Sequence, residues 1–450
     1  MKKWIILFLV FYTVQTYAQH ESLFNKWYGV EWSTTNSDPD VTRIAEDDSL
    51  NCHMSTVLPV HSLMKACILK DDGTVNYYLH PNNWLFKTDS TTASVLDGTD
   101  GQVMIEIPSH WEKFETDGNT RRVKISLVYH SGFNYVPKMY VGAYKAALNR
   151  TTLKLASVVN TTTTYRGGNN NATWDGTDRT LVGKPATAIT KTNFRTYAQN
   201  RGVNWSMYSY TAWKKVLWLY TIEYATRNSQ KAVDATLTAG GYHKGGLGNG
   251  VTNLVSAEWN TYYSNYKYPV IPCGQSNSIA SGTGEVDYNI PGYTGTNAVK
   301  INRYRGIEEP FGEIYEWVDG IQIQFLQTQA TAKAYITENP NQFADDGGKL
   351  GRARTVIDVS KVTGYIKAVA FGLYGDIISS GAGSSGTGSS TYYCDYFYSG
   401  YTGSYWGWLA LLVGGNADSG SDAGLCCAFS HYAASNSTAY FGSRLVFLGS

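Results

Sequence analysis

Trp213, Val216, Leu217, Tyr220 and Tyr224 recur at i, i+3, i+4, i+7 and i+11, the strongest periodic signal in the chain. The stripe predicts one amphipathic helix whose rings pack in a core rather than around a cofactor. Lys214, Lys215 and Glu223 fall on its polar, solvent-facing side. A shorter helix is expected after the Lys184-Pro185 turn. Thr190 or Thr192 can cap it, Phe194, Tyr197 and Ala198 share a face, and Gly202 ends it. Residues 28–130 read as short strands, such as Val103-Met104-Ile105-Glu106-Ile107 and Val123-Lys124-Ile125-Ser126-Leu127. Turn residues, among them Asp71-Asp72-Gly73 and Asp100-Gly101, bracket these runs. Past Asn228 neither period is sustained. Short strands, such as 320–325 and 362–371, punctuate long Gly, Ser, Asn and Tyr stretches, and 379–390 reads as a Gly/Ser loop. Two helices set among short strands and loops imply an α+β fold, without internal repeats.

With 450 residues, the chain exceeds one ordinary core, so two or three domains, or one large domain with insertions, are expected. Charged residues make up 16%, and 35 Tyr, 13 Trp and 45 Gly take their place, so some rings must lie near the surface. The formal net charge is +1 and no basic stripe exists, which argues against a nucleic-acid partner. Residues 1–19 read as an export signal, with Lys2 and Lys3 ahead of an apolar stretch and Thr16-Tyr17-Ala18 at the cleavage site. That stretch is too short for a membrane span, so the mature chain is expected to be secreted or held at a cell surface. Cys52 could pair with Cys67, and Cys394 with Cys426 or Cys427. Buried unpaired thiols, including Cys273, are an equal reading.

Chemical motifs are sparse. Gly246-Leu247-Gly248-Asn249-Gly250 lacks the strand and helix that a phosphate loop needs, and reads as a turn. The eight His residues are scattered singly, and neither His-Glu-x-x-His nor Gly-x-Ser-x-Gly occurs. No catalytic residue, metal ligand or cofactor is therefore assigned. Glu308-Glu309 and Glu313 with Glu316 are close enough in sequence for acid/base work on sugars, but solvated loop charges are the favoured reading.

The last seventy or so residues are the informative part. Tyr392, Tyr393, Tyr396, Phe397, Tyr398, Tyr401, Tyr405, Trp406 and Trp408 crowd one short region, interleaved with Ser, Gly and Asp as in antibody loops. Leu411-Leu412-Val413-Gly414-Gly415-Asn416 reads as a buried strand and turn, and Gly442-Ser443-Arg444-Leu445-Val446-Phe447 as a closing strand. The long aperiodic segment between them reads as a set of binding loops.

Several segments carry a resemblance. Val136-Pro137-Lys138-Met139-Tyr140-Val141, the Trp213 helix, Phe311-Gly312-Glu313-Ile314-Tyr315-Glu316-Trp317-Val318-Asp319-Gly320 and Gly442-Ser443-Arg444-Leu445 follow one another as in C-type-lectin folds of the formylglycine-generating-enzyme type. Tyr28-Gly29-Val30-Glu31-Trp32, Asp72-Gly73-Thr74-Val75-Asn76-Tyr77-Tyr78-Leu79, Tyr165-Arg166-Gly167-Gly168-Asn169-Asn170 and Cys394-Asp395-Tyr396-Phe397-Tyr398 resemble tail-fibre proteins of gut-bacterial phages. The spacing of Gly414-Gly415-Asn416-Ala417 and Ala423-Gly424-Leu425 is similar to the variable region of diversity-generating-retroelement target proteins, such as a phage major tropism determinant.

The resemblance implies a small β-rich module over 20–130. A C-type-lectin-like domain of two helices and a loop-dominated sheet would follow over 131–450, its variable ligand-binding region spanning about 391–447. It places ligand contacts at Tyr401, Tyr405, Trp406, Trp408, Asp418, Ser421, Asp422, Cys426, Ser430, His431 and Tyr432. The implied partner is a bacterial surface protein or glycan receptor, met by a homotrimer if the chain sits on a fibre tip. An export signal is unexpected on a virion tail protein, and points to an exported cellular cousin or a prophage gene with an extended start. The alternative is a secreted formylglycine-generating-like or glycan-acting enzyme. The catalytic cysteines of that branch find no match in Cys394 or in Cys426-Cys427.

Overall fold

The structure is a computed structural model that describes residues 23–50, 58–175, 180–231, 234–237, 243–244, 246–248, 270–290, 298–326, 332–348, 354–400 and 407–449. The expected export signal and Cys52 lie outside these residues. Strands dominate what is described, which corrects the expected two-helix α+β lectin fold to a β-rich one of several sheets. Among the described residues the α-helices are α1 (Pro59–Ser62), α2 (Lys191–Gln199) and α3 (Tyr210–Tyr224). Thr190 caps α2 by accepting the Asn193 N–H at 3.2 Å, and Ser209 caps α3 through Ala212 N at 3.1 Å.

Much of the strand lies beyond Asn228, where alternation is confined to short runs such as Glu285-Val286-Asp287-Tyr288. The strand Tyr315–Phe325 explains why. Every residue from 315 to 323 is buried, because both faces of the strand are covered, so no polar side marks it as β. The strand Asp376–Ala382 takes in the first third of the expected Gly/Ser loop for the same reason: Ser379 is fully buried.

Three large sheets organise the chain. A five-stranded antiparallel sheet orders 42–45, 28–33, 120–126, 110–117 and 134–136. A seven-stranded sheet orders 205–207, 444–448, 139–145, 102–107, 65–69, 75–80 and 83–87, so it takes strands from both sides of residue 130. A nine-stranded sheet is centred on Tyr315–Phe325, flanked by 332–336 and 407–413, and continues through 428–430 and 396–399 to 364–371.

Helix α3 packs among these sheets with no solvated face. Lys214, Lys215 and Glu223 are all buried, which corrects the expected polar side. Each charge meets a partner from another element. Lys215 is ion-paired with Glu112, Lys214 Nζ donates to the Tyr374 carbonyl at 2.8 Å, and Glu223 accepts from Arg305 at 2.7 Å and the Tyr304 hydroxyl at 2.9 Å. The indoles do likewise: Trp218 Nε1 donates to the Gly375 carbonyl at 2.8 Å.

A second buried charge group joins the two larger sheets. Glu316 accepts from Lys145 at 2.9 Å and from Arg444 at 3.1 Å, and the three side chains are at most 2% exposed. Arg444 also donates to the carbonyls of Gly142, Glu308 and Glu309 at 3.0, 2.8 and 2.9 Å. Removing one member leaves the others charged, buried and unpaired. Glu316→Leu is therefore expected to lower unfolding stability by about 3–5 kcal/mol, read as a fall in urea midpoint. A loss below about 1 kcal/mol would contradict this role for the group.

Candidate functional site

Glu316 is also where the C-terminal loops begin and end. It is the register partner of Val413 on one flank and of Gly442 on the other. Residues 414–441 thus run between the two flanks of one rung, about 10 Å apart at the usual strand spacing, and contribute the strand Ala428–Ser430 to the same sheet on the way. Every expected contact from Asp418 to Tyr432 lies on this excursion.

The excursion is held from beneath by backbone contacts. Trp213 Nε1 of α3 donates to the Leu425 carbonyl at 2.7 Å, and Leu425 N donates to Ser229 Oγ at 2.9 Å. Gln230 Nε2 donates to the carbonyls of Gly420 and Ala423 at 3.1 and 2.5 Å. Cys426 N donates to Asp395 Oδ2 at 2.7 Å. Asp395 also fixes the identity of Gly424, since a Cβ there would lie 2.0 Å from the carboxylate. Its carboxyl is 1% exposed, and burial pushes its pKa well above the ordinary carboxylate range against the pull of the Cys426 and Cys427 N–H groups.

From above, three tyrosines hold the loop over 416–422. The Tyr398 hydroxyl donates to Asp422 Oδ2 at 2.7 Å, Tyr365 meets Ser421 Oγ at 3.1 Å, and Tyr315 meets Ser419 Oγ at 3.4 Å. Burial, with Tyr315, Cys427 and Asp422 nearby, pushes the Tyr398 phenol far above its ordinary pKa, so the hydroxyl stays a donor. Inside the loop, Asn416 Oδ1 accepts from Asp418 N at 3.1 Å and Ser419 Oγ at 2.9 Å.

Phe429 is the centre of an aromatic cluster beside this loop. It stacks between Tyr315 and His431, with ring centroids 5.4 and 5.7 Å away and both interplanar angles 21°. Tyr398 and Tyr432 close on it at 5.0 and 5.3 Å. Tyr315 is buried, Phe429 half-buried and His431 exposed, so the stack runs from core to solvent.

The expected contact residues are therefore distributed unevenly. Asp418, Ser421 and His431 are exposed, and Asp422 and Tyr432 are half-buried in the same cluster. Trp408 is half-buried further along the strand Gly407–Val413, with its ring 5.4 Å from Tyr335. Cys426 and Ser430 are fully buried, and neither presents a side chain to solvent. Ser430 shares the inward face of the strand Ala428–Ser430 with Ala428, while Phe429 faces the rings. Tyr401, Tyr405 and Trp406 lie outside the described residues. Tyr365, Tyr396, Tyr398 and Phe429 were not among the expected contacts. Alternation over 396–399 could have separated half-buried Tyr396 and Tyr398 from buried Phe397, but the pairing of 364–371 and 428–430 with that strand is long-range.

The carboxylates near Glu308 are not solvated loop charges, which corrects that reading. Glu308, Glu309, Glu313 and Glu316 are each at most 5% exposed. Glu308 accepts from Gly274 N, Ser276 N and Ser276 Oγ at 2.7, 2.8 and 2.6 Å. Glu309 shares a hydrogen bond with Glu313, and burial raises the pKa of both. The five described cysteines, Cys67, Cys273, Cys394, Cys426 and Cys427, are buried free thiols. Among the described residues no three His, Cys, Asp or Glu side chains are grouped to hold a metal ion, and no helix is long and apolar enough to cross a membrane.

No family model and no curated protein matches the chain. Among solved structures, PvdO from Pseudomonas aeruginosa is similar with a TM-score of 0.29 and 9% identity, over 78% of this chain and 97% of that one. At that level neither fold nor function carries across.

Two outcomes follow for the excursion. Tyr398→Phe removes the donor to Asp422 and is expected to cost about 1–3 kcal/mol of local stability, read as faster hydrogen exchange at amides 416–422. Unchanged exchange would mean the hydroxyl does not hold the loop. Asp395 favours its protonated form in the fold, so its contribution is complete below the unfolded pKa of about 4 and is lost as pH rises through the raised folded value. Asp395→Asn should flatten the decline of stability from pH 5 to 8, and an unaltered slope in urea titrations would refute this.

Proposed function

We propose that this chain is a binding protein rather than an enzyme. It recognises a bacterial surface protein or glycan through residues 414–441 and the aromatic cluster around Phe429. One observation carries the reading: the excursion is fixed from below by α3 and Asp395 and from above by tyrosine hydroxyls, yet leaves Asp418, Ser421 and His431 outward. A loop ordered before contact loses little entropy on binding, and half-buried rings offer large rigid contact area. The acidic cluster offers less support to a glycan-acting enzyme, because Glu308 and Glu316 are already fully engaged with protein donors. The proposed setting is an exported surface protein or a virion tail. On a fibre tip, three copies would multiply weak single contacts.

The full chain and a His431→Ala/Tyr432→Ala variant should be compared for binding to a panel of gut-bacterial cells by flow cytometry. A hot-spot pair is worth about 2 kcal/mol or more, so binding is expected to weaken roughly thirtyfold. A folded variant that binds every strain as the parent does would remove this face from recognition.

A further inference from the structure

The roots of residues 414–441 are gripped by one bend of the chain, 309–315. Gly312 N donates to the Gly414 carbonyl, Ala417 N to the Glu313 carbonyl and Tyr315 N to the Tyr440 carbonyl, each at 2.9 Å. The bend therefore touches the excursion at its start and at its end. Glu309 and Glu313 both have left-handed backbone, with φ of 46° and 58°. A residue with a Cβ stays there only where other contacts offset the cost.

The contact that spans the bend is between those two side chains. Both are buried, and their carboxyl groups share a hydrogen bond. Ionised carboxylates are acceptors only, so that bond requires a proton. Glu313 Oε1 accepts the Ile271 N–H, whereas Glu309 Oε1 is buried without a donor, so a charge on Glu309 would be left unanswered. Among the described residues, the charges around the pair do not replace the proton. Lys145 and Arg444 are committed to Glu316, although Arg444 also donates to the Glu309 carbonyl. Glu308, on the same segment, adds a like charge. Lys184 faces Glu313, but burial brings its pKa down to about 8, so it sheds charge as pH rises. Cys273 and Tyr288 complete the surroundings, and burial raises the pKa of both, which keeps them neutral.

We propose that Glu309 and Glu313 form a proton-held clasp on the roots of the excursion, which closes them in acid and loosens them as the proton leaves. Deprotonation puts two carboxylates in contact in the interior. Their repulsion opens the bend, and the bonds to Gly414, Ala417 and Tyr440 open with it. The sign follows from the raised folded pKa values. Stabilisation is complete below the unfolded Glu value of about 4 and is lost as pH rises through the folded one. Binding is then weaker at higher pH, a consequence that rests on the reading of residues 414–441 as the recognition surface.

The test is hydrogen exchange of the full chain at the amides of Gly312, Tyr315 and Ala417, with rates corrected for the intrinsic effect of pH. Protection is expected to fall at least about tenfold from about pH 5 to about pH 8. Glu309→Gln, whose amide donates to Glu313 at every pH, should keep it level. Asp395→Asn, which acts at Cys426, should retain the fall. Should Glu309→Gln prove unfolded by circular dichroism, Glu313→Gln takes its place, since its amide can still accept from Ile271 N and donate to Glu309. The proposal is overturned if protection is level in the parent, if it falls as steeply in the Glu→Gln variant, or if Asp395→Asn abolishes the fall. None of these readings involves a ligand. Protection that falls as expected in a chain that binds cells at neither pH supports the clasp and counts against the recognition reading alone.

Discussion

Glu316, held between Lys145 and Arg444, is the constraint on which the C-terminal half depends. A carboxylate this deeply buried is tolerable only with both cations in place, and each cation comes from a strand of the neighbouring sheet. The group therefore contributes less net stability than it does registry. It specifies which strands of the two sheets lie together and at which rung, since a one-residue slip would turn these side chains toward the wrong face. Residues 414–441 inherit that precision because the residues that bracket them, Val413 and Gly442, both pair with Glu316.

The excursion shows a division of labour between scaffold and display. Its contacts from beneath go to backbone atoms: the carbonyls of Gly420, Ala423 and Leu425, and the N–H groups of Leu425 and Cys426. The partners that hold them, Trp213, Ser229, Gln230 and Asp395, all lie outside residues 414–441. These contacts from beneath do not depend on the side chains that the loop displays outward. Gly424 is the exception, because Asp395 approaches too closely for a Cβ.

About half of this was legible in the sequence, and the limits have physical causes. The α3 stripe, the Thr190 cap and the two strands that bracket the excursion could be read from local period and turn chemistry. The solvent-facing side expected for α3 could not survive, since Lys214, Lys215 and Glu223 find their partners at Tyr374, Glu112 and Arg305, far away in the chain. The same holds for Glu308 and Glu316, whose spacing suggested loop charges. Periodicity reports burial only when one face meets water. In Tyr315–Phe325 neither face does, and the β-rich fold was correspondingly hidden.

The candidate contacts divide along the same line. Asp418, Ser421 and His431 are outward, although Ser421 also meets the Tyr365 hydroxyl, whereas Cys426 and Ser430 are inward by the alternation of the strand Ala428–Ser430 and the residues before it. Asp422 stands between the two classes, because its carboxylate accepts the Tyr398 hydroxyl and so orders the very loop it decorates. A surface built to tolerate change would vary more freely at exposed His431 than at Ser421, whose hydroxyl meets Tyr365. At Asp422 a new side chain would have to accept the same hydrogen bond, or leave a phenol unpaired against a half-buried ring. Recognition and loop order are therefore coupled at Asp422 and at Ser421, whose side chains both meet tyrosine hydroxyls.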